Sequence, residues 1–234
     1  MINEQRSEAD DIRVSYHEAG HAGIGRQLHA MPLGGVTISA GEDYSGLCWG
    51  PLYDRRLKYS QDQTEPSMCQ KLAGQIPSIG ESRTECADLY LHCWNQIVEL
   101  VAGTEAERLF CDGEPWFAAD DERKAYEYGS LITSSPEATE ALIAACRAEA
   151  VALLKGQAHV VEALAGELRS RRTLDGAEID TVIETAVIAH GLEIERGRRD
   201  DWRRVQASAA AFLAAVPANP QASCRQRIGE HNKN

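Results

Sequence analysis

Two histidines stand four residues apart, with a glutamate directly after the first, in the run His17-Glu18-Ala19-Gly20-His21. On a helix, residues at that spacing lie one turn above each other on one face, so both imidazoles can reach a single tetrahedral metal ion. Zinc held this way lowers the pKa of its water toward about 7. A carboxylate beside the pair can take a proton from that water as it attacks a peptide carbonyl, and can later pass the proton to the leaving amine. His17 and His21 are therefore candidate metal ligands, and Glu18 is the candidate catalytic base. The isolated histidines His29, His159 and His190 read as surface or cap residues.

Catalytic zinc takes three protein ligands and keeps a fourth position open, so a carboxylate is needed. On the helix expected over residues 119–132, Asp121 shares a stripe with Ala125, Tyr128 and Ile132, while Asp120 shares one with Lys124 and Glu127. Asp121 should thus face the core and Asp120 the solvent. An inward carboxylate is costly unless paired or metal-bound, which favours Asp121 as the third ligand over a plain partner for a buried donor. Glu107 lines up with Leu100, Gly103 and Phe110 and should also face inward. It is either the residue that orients a ligating histidine through its free ring N–H or a rival third ligand. Glu42 and Asp43, in a turn, rank lower.

The elements that must position these residues are mostly helical. Helical periodicity covers residues 7–30, with glycines at 20, 23 and 25 that cost up to about 1 kcal/mol each relative to alanine and so imply a very close neighbour. Strand patterns at 35–39 and 45–49 flank a turn and predict a short hairpin, the one strand signal in the chain. Residues 51–83 are read as a loop or insertion. Long helices are predicted over 84–110, opened by a Ser82-x-x-Glu85 capping box, over 119–132, and from Ser135-Pro136 to Gly156 with a continuation through Leu168. Asp175-Gly176-Ala177-Glu178 caps the next helix, through His190; Trp202, Val205, Ala209, Phe212 and Val216 mark a last amphipathic one before a polar tail.

The expected fold class is mainly α with a short β-hairpin or small sheet. Two regions are expected: a metallopeptidase domain over 1–198, and a C-terminal helix with a disordered tail over 199–234. A formal charge of -12 disfavours nucleic acid. The polar N-terminus lacks a signal sequence and no apolar run approaches the roughly 20 residues of a membrane span, so a cytoplasmic protein is expected. Seven cysteines without a Cys-x-x-Cys pair fit a reducing compartment.

Several stretches together resemble the peptidase domain of the FtsH-type membrane-anchored ATP-dependent zinc metalloproteases. They are Tyr16-His17-Glu18-Ala19-Gly20-His21-Ala22, Val36-Thr37-Ile38, Ala102-Gly103-Thr104-Glu105-Ala106-Glu107, Asp120-Asp121 with Ala125, and Thr173-Leu174-Asp175-Gly176-Ala177-Glu178-Ile179, in the family's order. The resemblance implies a helical zinc endopeptidase with His17, His21 and Asp121 on the metal and Glu18 as base. It also implies that residues 36–39 offer a strand edge to an extended substrate. No Gly-x-x-x-x-Gly-Lys-Ser/Thr loop occurs, so the expectation is a peptidase domain standing alone, acting on flexible or unfolded polypeptides. A homo-oligomer and a separate ATPase partner both stay open. The alternative function is a catalytically inactive, metal-stabilised interaction module of the same fold.

Overall fold

The computed structural model describes residues 6–29, 33–41, 44–50, 72–78, 81–116 and 118–215. Glu42 and Asp43, most of the 51–83 insertion and the tail from 216 lie outside them. The chain divides into two compact units, Met1–Val187 and Ile188–Asn234.

In the first unit, helix α1 (Glu8–Leu28) opens on Ser7, whose hydroxyl accepts the Asp10 N–H at 3.2 Å. Glu8, Asp10 and Asp11 put negative charge at its positive end. Strands β1 (Gly35–Thr37) and β2 (Leu47–Trp49) follow as an antiparallel pair. Helix α2 (Ala87–Phe110) comes next, then α3 (Ala119–Ile132), α4 (Pro136–Gly156) and α5 (Ala158–Arg171), strand β3 (Thr173–Asp175) and α6 (Gly176–Ala215). The architecture is mainly α, as expected.

Helix α1 packs between α2 and α5, and α2 is backed by α3 and α4. Ile24, Ile97, Val101, Leu154, Leu164 and Leu168 are among the fully buried or nearly fully buried side chains of the shared core. A Cβ on Gly23 would make only ordinary contact with Leu164 and Val161 of α5, at 3.9 Å. The close neighbour implied by Gly20 and Gly25 is α2: a Cβ on Gly20 would stand 2.7 Å from the Ala102 carbonyl oxygen and 2.8 Å from the Ala106 Cβ. That intimacy fixes the face of α1 bearing the histidines against the middle of α2. Tyr16 stacked on Phe110, ring centroids 5.3 Å apart, braces the same seam.

The structure departs from the sequence expectations in three places. A third strand exists: β3 pairs antiparallel with β1, giving the order β2-β1-β3. It was hidden because only three residues pair before Asp175 and Glu178 close a reciprocal capping box, each accepting the other's N–H at 2.9 Å. Strand β1 is consequently central. Both its edges are paired over Gly35–Thr37, and the Ile38 N–H goes to the Arg172 carbonyl, so residues 36–38 have no free edge to offer a substrate. The Glu85 side chain of the expected Ser82-x-x-Glu85 box lies outside the described residues; Ser82 Oγ accepts the Thr84 N–H at 3.3 Å, and a 3₁₀ turn, Thr84–Cys86, precedes α2. Finally, the two C-terminal helices are one, because Glu195 with Arg199, Asp200 with Arg203 and Asp201 with Arg204 are helical ion pairs that carry α6 through the charged cluster.

Candidate metal centre

His17 and His21 project from the buried middle of α1 toward α2 and α3. His17 Nε2 and His21 Nε2 are 3.0 Å apart, and Asp121 Oδ2, from the first turn of α3, lies 3.4 Å from the first and 3.5 Å from the second. Among the described residues these form one cluster able to hold a metal ion. The separations suit zinc: ligand bonds of about 2.0–2.1 Å at tetrahedral angles place neighbouring donor atoms roughly 3.3 Å apart.

Each imidazole is gripped from behind. His17 Nδ1 donates to Glu107 Oε1 at 2.7 Å, and His21 Nδ1 donates to the Glu99 carbonyl oxygen at 2.8 Å, which leaves both Nε2 atoms free to turn toward Asp121. Glu107 is 2% exposed, and its other oxygen accepts from the Trp116 N–H at 3.0 Å and from Arg13 at 3.2 Å. Arg13 also donates to the Glu114 and Asp112 carbonyls, at 2.6 and 2.7 Å. One guanidinium thus ties the residue behind His17 to the loop that leads into α3 and Asp121.

Glu18 is 5% exposed, and its Oε2 is buried without a hydrogen-bond partner. A carboxylate oxygen left so is costly, which points to a proton, a water or a cation as its missing partner. Burial pushes the Glu18 pKa up, and the nearby imidazoles offset only part of that. Burial opposes the charged form of His17, but its hydrogen bonds to the Asp121 and Glu107 carboxylates outweigh that and push His17 up to about 10. His21 is raised for the same reason, with Asp121 overcoming burial. Asp121 is held far below the usual carboxylate range, since the two imidazoles outweigh its burial. Three carboxylates around two imidazoles therefore demand positive charge, from protons or from a metal ion. The donor set fits zinc.

Two glycines make room for this arrangement. A Cβ on Gly103 of α2 would lie 2.5 Å from His21 Nε2 and 2.7 Å from His17 Nε2. A Cβ on Gly46, just before β2, would collide with the Glu18 carboxylate. On β2 the Cys48 thiol is pushed well above its ordinary value, by burial first and then by Glu99, Glu18 and Asp121, so it stays protonated and is no nucleophile.

The structure therefore brings His17, His21 and Asp121 together, sets Glu18 beside them and puts Glu107 behind His17. Asp120 faces away and pairs with Arg123 and Lys124 at 2.6 and 2.7 Å. Arg13, Gly46, Gly103 and the Glu99 carbonyl escaped the sequence reading. Gly103 alone left a usable signal, a helix-weakening residue within the 102–107 stretch.

No protein-family model matches the chain. It is 28% identical over 192 residues to the ATP-dependent zinc metalloprotease FtsH of Thermobaculum terrenum. The chain is distantly similar to a metalloprotease. The match covers 76% of this chain but 29% of that protein, so the chain spans less than a third of its relative. Among the described residues no helix is long and apolar enough to cross a membrane.

Proposed function

We propose that this chain is a zinc-dependent metalloendopeptidase acting on flexible or unfolded polypeptides, its catalytic region lying within residues 1–198. The observation that carries the reading is the convergence of His17 Nε2, His21 Nε2 and Asp121 Oδ2 beside the unpartnered Glu18 Oε2.

In this reading His17, His21 and Asp121 hold the zinc, and Glu107 and the Glu99 carbonyl fix the orientation of the two rings. Bound zinc supplies Lewis acidity, which eases deprotonation of water toward about pH 7. Glu18 carries the proton at Oε2, and burial raises its pKa, which strengthens its hold on a proton taken from water before that proton is passed on. The substrate backbone adds along the outer edge of β2, which no described strand covers and which follows Gly46 beside Glu18. Delivery of the substrate by an ATPase belongs to the same proposal, since the similar protein is named as ATP-dependent.

The test is zinc content and casein cleavage for the wild type and Glu18→Gln. The wild type should carry about one zinc per chain and cut casein, while Glu18→Gln keeps its zinc and loses about 10²- to 10⁴-fold in rate. Equal activity in Glu18→Gln would remove the assigned base. Zinc without cleavage in the wild type would favour the inactive interaction module.

A further inference from the structure

The described part of the second unit is the stretch 188–215 of α6, and it exposes large apolar side chains on either side of a charged middle. Of the eleven large hydrophobic side chains exposed among the described residues, seven fall here, with Trp202 63%, Phe212 69% and Leu213 72% exposed. Exposed apolar side chains in this number mark an interaction site.

Its spacing says what it fits. With Ile188 at the first position of a heptad, the a positions are Ile188, Glu195, Trp202 and Ala209, and the d positions are Gly191, Arg198, Val205 and Phe212. A parallel second copy would set Glu195 on Glu195, Arg198 on Arg198 and Trp202 on Trp202. An antiparallel copy pairs a with d. Placing Ile188 opposite Val205 then sets Glu195 opposite Arg198 and Trp202 opposite Gly191, each twice because a two-fold interface is isologous. Opposite charges meet at the charged core positions, and the largest side chain meets the smallest.

A lipid surface fits less well. The stretch holds Arg196, Arg198, Arg199, Arg203 and Arg204 against Glu193, Glu195, Asp200 and Asp201, a net charge of +1, which gives little pull toward anionic headgroups.

We infer that this helix pairs antiparallel with the same helix of a second copy of the chain, Ile188 opposite Val205 and Glu195 opposite Arg198. The pairing is independent of the zinc chemistry. It buries Ile188, Trp202 and Val205 over the 188–205 overlap, and the Glu195 and Arg198 pairs select the antiparallel orientation.

The experiment is sedimentation of the full chain across micromolar concentrations, with helicity by circular dichroism as the folding control. The wild type should be a dimer that dissociates on dilution. Glu195→Arg and Arg198→Glu should each weaken it at least about tenfold, because each places like charges at two symmetric contacts. An equimolar mixture of the two variants should restore it, since every mixed contact again joins opposite charges. Three results would overturn the inference: a wild type monomeric throughout, charge variants that dimerise like the wild type, or a mixture that does not recover. A monomer whose Trp202 emission shifts only with phosphatidylserine vesicles would assign the face to lipid instead. A monomer whose Trp202 is shielded until residues 216–234 are removed would assign it to the tail.

Discussion

Gly103→Ala is the sharpest perturbation of the proposed centre, because it adds one methyl group and no charge. That methyl would stand 2.5 Å from His21 Nε2 and 2.7 Å from His17 Nε2. Ordinary carbon contacts begin near about 3.5 Å, so the two rings must open by roughly 0.8–1.0 Å. Neither can retreat easily, since His17 is held by Glu107 at 2.7 Å and His21 by the Glu99 carbonyl at 2.8 Å. Metal–ligand distances tolerate only about 0.2 Å. The variant should therefore lose at least about 100-fold in zinc affinity, the upper end of what disturbing a ligand's support costs. Gly166→Ala on α5 is the control: a Cβ there meets nothing within 4 Å, so helix propensity should raise stability by about 0.5–1 kcal/mol with zinc affinity unchanged. Competition against a chromophoric chelator, with thermal melts in excess chelator, reads both quantities. If folded Gly103→Ala binds zinc like the wild type, the histidines do not face Gly103 as described.

Arg13→Ala should weaken zinc about tenfold or more by releasing both Glu107 and the 112–114 carbonyls, while Arg13→Lys recovers part of this; a silent Arg13→Ala in the chelator assay would dissociate the loop from the metal site. Gly46→Ala should retain zinc but lower kcat, because its Cβ meets the Glu18 carboxylate; loss of zinc with kcat per bound zinc unchanged would contradict that division. Acidity should act oppositely on the metal-free and loaded forms. The His17 pKa is raised from about 6.5 to about 10 in the metal-free fold, so its stabilising contribution is complete below pH 6.5 and is lost as pH rises toward 10. Zinc must displace that proton, so zinc affinity should climb with pH over the same range. Melts with chelator and zinc titrations across that range measure both trends, and a zinc affinity independent of pH would refute the proton competition.

The sequence by itself determined whatever depends on neighbours along the chain. Helix periodicity put His17 and His21 on one face, turned Asp121 inward and Asp120 outward, and placed Glu107 toward the interior, because a residue's direction on a helix follows from its spacing alone. Ser7, Ser135 and the Asp175–Glu178 box likewise cap helices through bonds spanning three residues. Tertiary structure decided where those inward faces meet. That Asp121 lies 3.4 Å from His17, more than a hundred residues earlier, depends on α3 folding against α2 and α2 against α1. Gly103 and Gly46 matter only through side chains distant in sequence, which approach because both positions lack a Cβ. Strand β3 exists only because β1 pairs with it: three residues carry no periodic signal, and a strand's hydrogen bonds, unlike a helix's, are made to another segment of the chain.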